Sequence, residues 1–162
     1  MTASETQSSD DELLREVQRL RRSEAQFTRI FQQSPVCLTI TAIDTSEFFR
    51  VNDTWCQTLG YSQDEVIGQT AVGLNIWQAT DRQRGGYLNL LKRNGTVRNF
   101  ETRMRTKDGQ ILTVLISADL LDFEGEARLY STITDITQRA EAERLFAVAF
   151  DANPESVEIG RA

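Results

Sequence analysis

The sequence predicts an α+β domain in which a five-stranded antiparallel sheet carries short helices on one face and an amphipathic helix at each end. Three observations predict this class. The last third of the chain contains three consecutive strand-like runs joined by short turns, which favours antiparallel neighbours. Two shorter β-branched runs earlier in the chain form a hairpin, and short capped helices separate the two groups of strands. The hollow between such a sheet and its covering helices is a natural small-molecule site.

Composition places the chain among ordinary globular proteins. It has 162 residues, 40% of them hydrophobic and 26% charged, which allows a core without metals or disulfides. The formal net charge of −6 argues against nucleic-acid binding, which needs a basic face. No run approaches the ~18 apolar residues of a membrane span. Since no signal peptide is visible either, we expect no membrane insertion and a cytoplasmic location.

Histidine is absent from the chain, and this absence removes whole classes of chemistry. Haem held by histidine, Ser-His or Cys-His catalytic pairs, a phospho-accepting histidine and a histidine-based zinc site are all excluded within this chain. A phosphate-cradling glycine loop is also missing. Cys37 and Cys56 lack the spacing of a metal or redox pair. We therefore predict that the chain is not an enzyme and has no metal site.

The N-terminal region is predicted as a disordered leader over residues 1–10 and a helix over residues 11–33. Apolar side chains in this helix alternate steps of four and three residues, with Glu24 in the one missing position, which is typical of a coiled-coil seam. We expect a homodimer through this seam. The alternative is that the same face packs on the helix's own domain. The predicted seam consists of Leu13, Val17, Leu20, Phe27 and Phe31.

Ser34-Pro35 ends this helix, because proline disfavours helical geometry in the residue before it. A hairpin and a series of short helices follow. Asn52 or Asp53, and further on Ser62, are placed to cap two of these helices. The predicted hairpin strands cover residues 36–43 and 48–51, and the helices cover residues 53–59, 63–67 and 81–92.

Three strands and a final helix complete the predicted order. Lys107-Asp108-Gly109 and a second turn containing Gly125 separate the strands. On the middle strand every second side chain is apolar, which assigns that set to the interior. The predicted strands cover residues 96–106, 111–121 and 127–137, and the helix begins at residue 138.

One sequence pattern occurs near the start of the chain and again near its end. A Phe-x-x-x-Phe-x-x-x-Pro pattern occurs twice, which indicates repetition of a structural unit. We interpret residues 138–162 as a linker helix and the truncated start of a second domain copy, and residues 34–137 as the main domain. The alternative is a coincidence between two amphipathic helices. The two copies of the pattern are Phe27, Phe31 and Pro35, and Phe146, Phe150 and Pro154.

A series of short motifs runs through the chain, and their order and spacing are informative together. In order they are Phe31-x-x-Ser34-Pro35, Val51-Asn52-x-x-Trp55, Leu59-Gly60-Tyr61-Ser62-x-x-Glu65-x-Ile67-Gly68, Ile76-Trp77-x-x-x-Asp81-Arg82, Arg103-x-x-x-Lys107-Asp108-Gly109 and Thr134-Asp135-Ile136-Thr137-x-Arg139. Through these motifs the chain resembles the PAS domains, a family of sensory modules, over about residues 24–143.

The resemblance implies a PAS fold with sheet order 2-1-5-4-3 and a sensory or signal-relay role. Such modules usually lie upstream of a histidine kinase or a cyclic-di-GMP enzyme, so a downstream effector domain in the same polypeptide is the expected partner. In related domains the junction between the last strand and the exit helix passes strain in the sheet to that helix. The resemblance assigns this role here to Asp135, Ile136 and Thr137.

Strand alternation and the resemblance select the side chains expected to face the hollow. Alternation places apolar residues of the two later strands inside, and the family match adds Ile133. A small apolar ligand would suit these walls. Alternatively the large side chains fill the hollow, which would leave a purely structural dimerisation module. The candidate pocket residues are Trp55, Cys56, Ala71, Leu74, Phe100, Met104, Val114, Ile116 and Ile133.

The same positions argue against a flavin cofactor. In flavin-binding light sensors of the family, the photoreactive cysteine falls at the position of Ala71, and the ring-binding amides fall at Met104, Val114 and Ile133. These four side chains are apolar, and each unpaired polar group of a flavin would cost about 1–3 kcal/mol. A FAD-type redox sensor that holds its flavin differently, partly through Trp55, is a remaining alternative. We expect no cofactor.

Overall fold

The computed structural model describes residues 3–152 and contains one five-stranded antiparallel sheet with strand order β2-β1-β5-β4-β3, as expected. In the described part of the chain, no helix combines the length and hydrophobicity that crossing a membrane requires. The helices are α1 (Ala3–Gln33), α2 (Asp53–Leu59), α3 (Gln63–Val66), α4 (Asp81–Asn94) and α5 (Thr137–Asp151). The strands are β1 (Cys37–Ala42), β2 (Phe48–Val51), β3 (Thr96–Arg105), β4 (Ile111–Phe123) and β5 (Glu126–Asp135).

The first helix is longer than predicted. It begins at Ala3 rather than at residue 11, so the prediction of a disordered leader over residues 1–10 is wrong from Ala3 onward. Acidic residues near the start of a helix are favourable because they face the positive end of the helix dipole, and Glu5 lies in this first turn. The polar, acidic composition of residues 1–10 led to the prediction of disorder. The same composition is also compatible with the solvent-exposed first turns of a helix.

The turn between β4 and β5 is shorter than predicted. β4 continues to Phe123 and β5 begins at Glu126, which leaves only Glu124 and Gly125 between them. Their φ angles are 58° and 79°, as a two-residue type I′ turn requires. Glutamate rarely adopts a positive φ, so the sequence did not indicate a turn this tight.

The main core lies between the inner face of the sheet and the helices that cover it. On β4 the alternating residues Val114, Ile116 and Ala118 are buried, as their pattern predicted. Thr102 and Met104 of β3 are buried as well. The covering helices and the loop before α4 contribute Trp55, Leu59, Val66, Ile76, Tyr87 and Leu91 to the core.

The C-terminal end of α1 joins a second, smaller cluster. Phe31 is only 3% exposed and packs with Leu38 and Ile40 of β1. Phe27 stacks on Phe31 with ring centroids 5.7 Å apart and also contacts Phe123 at 5.4 Å. Phe31 is therefore a core residue of its own domain, and its assignment to a free dimer seam is wrong. A heptad pattern does not distinguish a partner helix from a sheet as the surface that an apolar face covers.

Asn52 is the polar centre of the fold. Its side chain is fully buried and bonds four backbone groups. Oδ1 accepts hydrogen bonds from the N–H groups of Leu38 (3.0 Å) and Trp55 (3.0 Å). Nδ2 donates to the carbonyl groups of Phe31 (3.1 Å) and Val36 (2.8 Å). One amide thus caps α2 and fixes its start against the end of α1 and the beginning of β1.

We predict that Asn52→Ala lowers the free energy of unfolding by about 3 kcal/mol or more. The substitution leaves several buried backbone groups unpaired, and each such group costs roughly 1–3 kcal/mol. Urea unfolding followed by circular dichroism measures the change. Asn94→Ala, at an exposed position at the end of α4, is the control and should stay within about 0.5 kcal/mol of the original chain. Equal stability of the two variants would contradict the central role of Asn52.

Candidate ligand-binding cavity

A cavity of about 220 Å³ lies between the inner face of the sheet and helices α2 and α4. All five strands contribute to its wall, together with the loop before α4. An engineered cavity of about 150 Å³ in another protein binds benzene, so a small ring or a short chain fits this volume. Its lining includes Thr39, Phe48, Trp55, Ala71, Trp77, Tyr87, Met104, Ile116, Ser131 and Ile133.

Five of the candidate pocket residues line this cavity and four do not. Trp55, Ala71, Met104, Ile116 and Ile133 form part of its wall. The other four belong to the surrounding core. A side chain that points inward on a strand can still be covered by its neighbours, and two of the four lie on α2 and in the loop before α4 rather than on a strand. These core residues are Cys56, Leu74, Phe100 and Val114.

Sequence reasoning missed one wall of the cavity, which α4 supplies. Arg84, Tyr87, Leu88 and Leu91 all line the cavity. They are spaced i, i+3, i+4 and i+7, the spacing of one helix face, so the pattern was visible in the sequence. An arginine within an otherwise apolar stripe was the signal that could have drawn attention to this face.

Aromatic side chains dominate the cavity wall around α4. The ring of Tyr87 contacts those of Trp77 and Phe100, with centroid distances of 5.3 and 5.4 Å. Burial raises the pKa of the Tyr87 hydroxyl, and its interaction with the Ser131 side chain opposes this shift. The indole Nε1 of Trp77 donates to Thr102 Oγ1 at 2.9 Å. Both groups are neutral, so they shape the cavity without charging it.

The indole Nε1 of Trp55 differs from that of Trp77, because it is buried and no acceptor pairs with it among the described residues. Its ring packs against Phe48, with centroids 5.2 Å apart. A buried donor without an acceptor costs about 1–3 kcal/mol. One residue of the cavity lining therefore carries an unused hydrogen-bond donor.

Arg84 is the one charged side chain among the described residues that line the cavity. About 30% of its side chain is exposed, and it forms an ion pair with Asp81. Three exposed apolar side chains, Ile43, Val72 and Leu88, belong to the same wall and mark where the cavity meets solvent. The mouth is thus apolar, and the one charged group of its lining is the Arg84 guanidinium, whose ion-pair partner Asp81 lies outside the lining.

The two cysteines have the properties of structural residues. Both are free, and burial is the main factor that raises the pKa of each thiol. The carboxylate of Asp53 raises the pKa of Cys56 further. Reactive thiols need a lowered pKa. The geometry therefore gives no support to Cys56 as a redox sensor.

The cavity does not fit a flavin in the manner of the light sensors. Ala71, Met104 and Ile133 on its wall, and Val114 in the core beside it, present no side-chain hydrogen-bonding group. A flavin ring carries several polar edge atoms, and these would stay unpaired beside the four side chains.

The junction between β5 and α5 is hydrogen-bonded to β4 near the start of that strand. Thr113 of β4 uses both backbone groups there: its N–H donates to Thr137 Oγ1 at 3.0 Å, and its carbonyl accepts from the N–H of Ile136 at 2.8 Å. Asp135 Oδ1 accepts from the Thr137 N–H at 2.9 Å and from its hydroxyl at 2.5 Å. The structure therefore brings the three predicted relay residues together around one position of β4.

A five-stranded antiparallel sheet curled around a cavity and roofed by short helices defines a class of small sensory α+β modules. Residues 35–138 match the PAS domain family, so the chain belongs to this family, as the motifs indicated. The sheet order that the resemblance implied is also confirmed. A PAS domain is a non-catalytic module.

Known proteins similar to this chain include sensors. The methyl sulfide methyltransferase-associated sensor of Methanosarcina acetivorans is 30% identical over 127 residues, which are 76% of this chain but only 12% of that sensor. The PAS domain of an HTR-like protein from Haloarcula marismortui has a TM-score of 0.63 and 24% identity, over 75% of this chain and 98% of that one. The PAS domain of a two-component sensor histidine kinase has a TM-score of 0.59 and 19% identity, over 70% and 98%. At these identities the two structures establish the fold alone.

Proposed function

We propose that this PAS module is the sensory input of a larger signal-transduction protein and that it binds a small, mainly apolar ligand in the cavity. The observation that carries this proposal is an open space of about 220 Å³ inside a core that proteins normally fill. The sensor from Methanosarcina acetivorans supports the signalling role by similarity. The effector that we propose downstream is a histidine kinase or a cyclic-di-GMP enzyme in the same polypeptide.

A short path connects the cavity to the exit helix. Ile116 lines the cavity on β4 and pairs across the sheet with Ile133 of β5, which also lines it. Three residues along β4, Thr113 holds the start of α5 through Ile136 and Thr137. A ligand that displaces β4 would therefore move the first turn of α5 directly. This path is the relay that we propose.

The alternative function is a purely structural module that dimerises and transmits motion without a ligand. Phe48, Trp55 and Tyr87 already occupy much of the hollow, which favours this alternative. Occupancy of the remaining space decides between the two functions.

We predict that Ala71→Leu abolishes ligand binding because its added methyl groups fill the cavity. Both tryptophans of the chain line this cavity, so tryptophan fluorescence reports occupancy. Cyclohexanecarboxamide and cyclohexanecarboxylate serve as probes, and native mass spectrometry detects any molecule that co-purifies. Ala25→Leu on exposed α1 is the matched control and should bind as the original chain does. An original chain that binds neither probe and purifies empty would instead support the structural module.

For the relay, we predict that Thr137→Val uncouples α5 from the cavity while the cavity still binds its probe. The substitution leaves the partly buried N–H of Thr113 without its side-chain partner, which should lower stability by about 1 kcal/mol. Hydrogen exchange of the first α5 amides, measured with and without the probe, should change in the original chain and stay constant in the variant. Thr134→Val, at an exposed position of β5, is the control that keeps the response. An intact response in Thr137→Val would refute this path.

The part of α1 beyond its sheet contact supports the proposed homodimer. Leu13, Val17 and Leu20 are exposed, the first and last by 66% and 56%, and lie on the predicted seam. Isolated helices are marginal in water, and most helices are stabilised by packing of an apolar face. A second copy of the same helix provides such a surface, with the seam confined to the segment before Phe27.

We predict that the double variant Leu13→Glu/Leu20→Glu is monomeric, whereas the original chain is dimeric. Four carboxylates in the seam of a dimer would repel one another and remove the apolar contact. Sedimentation equilibrium measures the mass. Gln18→Glu/Ala25→Glu adds the same charge on the outer face of α1 and should remain dimeric. A monomeric original chain would rule out the seam.

The proposed second domain copy has a partial structural parallel. Phe146 and Phe150 of α5 stack at 6.4 Å with an interplanar angle of 21°, close to the 24° of Phe27 and Phe31. Both are exposed here, as an entry helix without its own sheet would be. Pro154, which completes the pattern, lies outside the described residues. The amino-acid sequence after residue 162 checks this proposal, since it should contain the remaining PAS motifs in order.

A further inference from the structure

The charge of the cavity selects among ligands, an inference that rests on the proposed ligand-binding function. Arg84 contributes a positive charge to the wall, and no aspartate or glutamate stands among the described lining residues. A cationic ligand would therefore meet a like charge, and no carboxylate of the described lining could pair with it. An anionic ligand would meet the one charge available.

The guanidinium of Arg84 has hydrogen-bond donors that no described residue uses. Asp81 engages only its Nη2, and neither Nε nor Nη1 makes a hydrogen bond in the part of the chain that the structure describes. Because the Asp81 side chain is 97% exposed, this ion pair is weak. A planar guanidinium with free donors is well suited to a carboxylate, which it can hold through two parallel hydrogen bonds.

The remaining walls define the rest of the ligand. The lining away from Arg84 is mainly aliphatic and aromatic, and the unpaired Nε1 of Trp55 is a donor rather than an acceptor. The unused donors of Arg84 and of Trp55 thus both call for acceptors. We propose that the cavity binds a small apolar monocarboxylate, with its ring or short chain inside the cavity and its carboxylate paired with Arg84 at the mouth.

Cyclohexanecarboxylate and cyclohexanecarboxamide test this proposal, because they share one shape and differ in charge. At pH 7 and physiological salt, tryptophan fluorescence titration of the full chain should show tighter binding of the carboxylate by ~10- to 100-fold, the range expected for hydrogen bonds to a charged group. Arg84→Gln should remove this preference. Arg82→Gln, an exposed neighbour on α4 that does not line the cavity, is the matched control and should retain it.

The outcomes separate this proposal from the function on which it rests. Equal binding of both probes to the original chain, abolished in Ala71→Leu, would overturn the carboxylate preference and leave the ligand-binding cavity standing. A preference that survives Arg84→Gln would equally overturn the role of Arg84. If neither probe binds and no molecule co-purifies, both the preference and the ligand-binding function fall. Circular dichroism of each variant verifies that it is folded.

Discussion

The buried side chain of Asn52 is the constraint on which the rest of the structure depends. It holds the carbonyl of Phe31 at the end of α1, the N–H of Leu38 in β1 and the N–H of Trp55 in α2. A buried amide is costly unless its hydrogen bonds are all made, so these three segments keep one relative geometry. The same amide therefore positions the Trp55 side of the cavity and the base of the N-terminal helix. If a ligand of the proposed kind displaces α2, the displacement would reach the end of α1 through this amide.

The exit helix is fixed by a different part of the sheet. Thr113 offers both of its backbone groups to the start of α5, at the point where β4 runs beyond the last paired residue of β5. These bonds to Ile136 and Thr137 replace the ladder bonds that β4 would make to a longer strand. The sheet is thus connected to the two terminal helices by hydrogen bonds, to α1 through Asn52 and to α5 through Thr113. The cavity lies between these two connections and shares walls with both.

The predictable part of the fold is the part that local patterns encode. Alternation on β4 identified its buried face, and the caps at Asn52 and Ser62 lie where the sequence placed them. The cavity was predicted less completely, since five of its proposed residues line it and four are packed behind the wall. The packing of α4 on the sheet determines which of the inward-pointing side chains border the cavity. That is a tertiary property, and the place of Arg84 in the cavity wall depends on it.

Phe31 illustrates the limit of periodicity most clearly. The apolar stripe of α1 is continuous in sequence, yet its last turn covers Leu38 and Ile40 while Leu13 and Leu20 stay exposed. One helix face therefore has two environments. Its C-terminal end packs on the sheet and, in the proposed dimer, its N-terminal part packs on a second helix. Because a helix is stiff over such a distance, the two contacts are not independent. A displacement of the sheet under Phe31 must rotate or shift the exposed stripe as well. In a dimer, a change in the packing of the domain would thus change the geometry of the seam. No contact between the seam and the ligand would be needed.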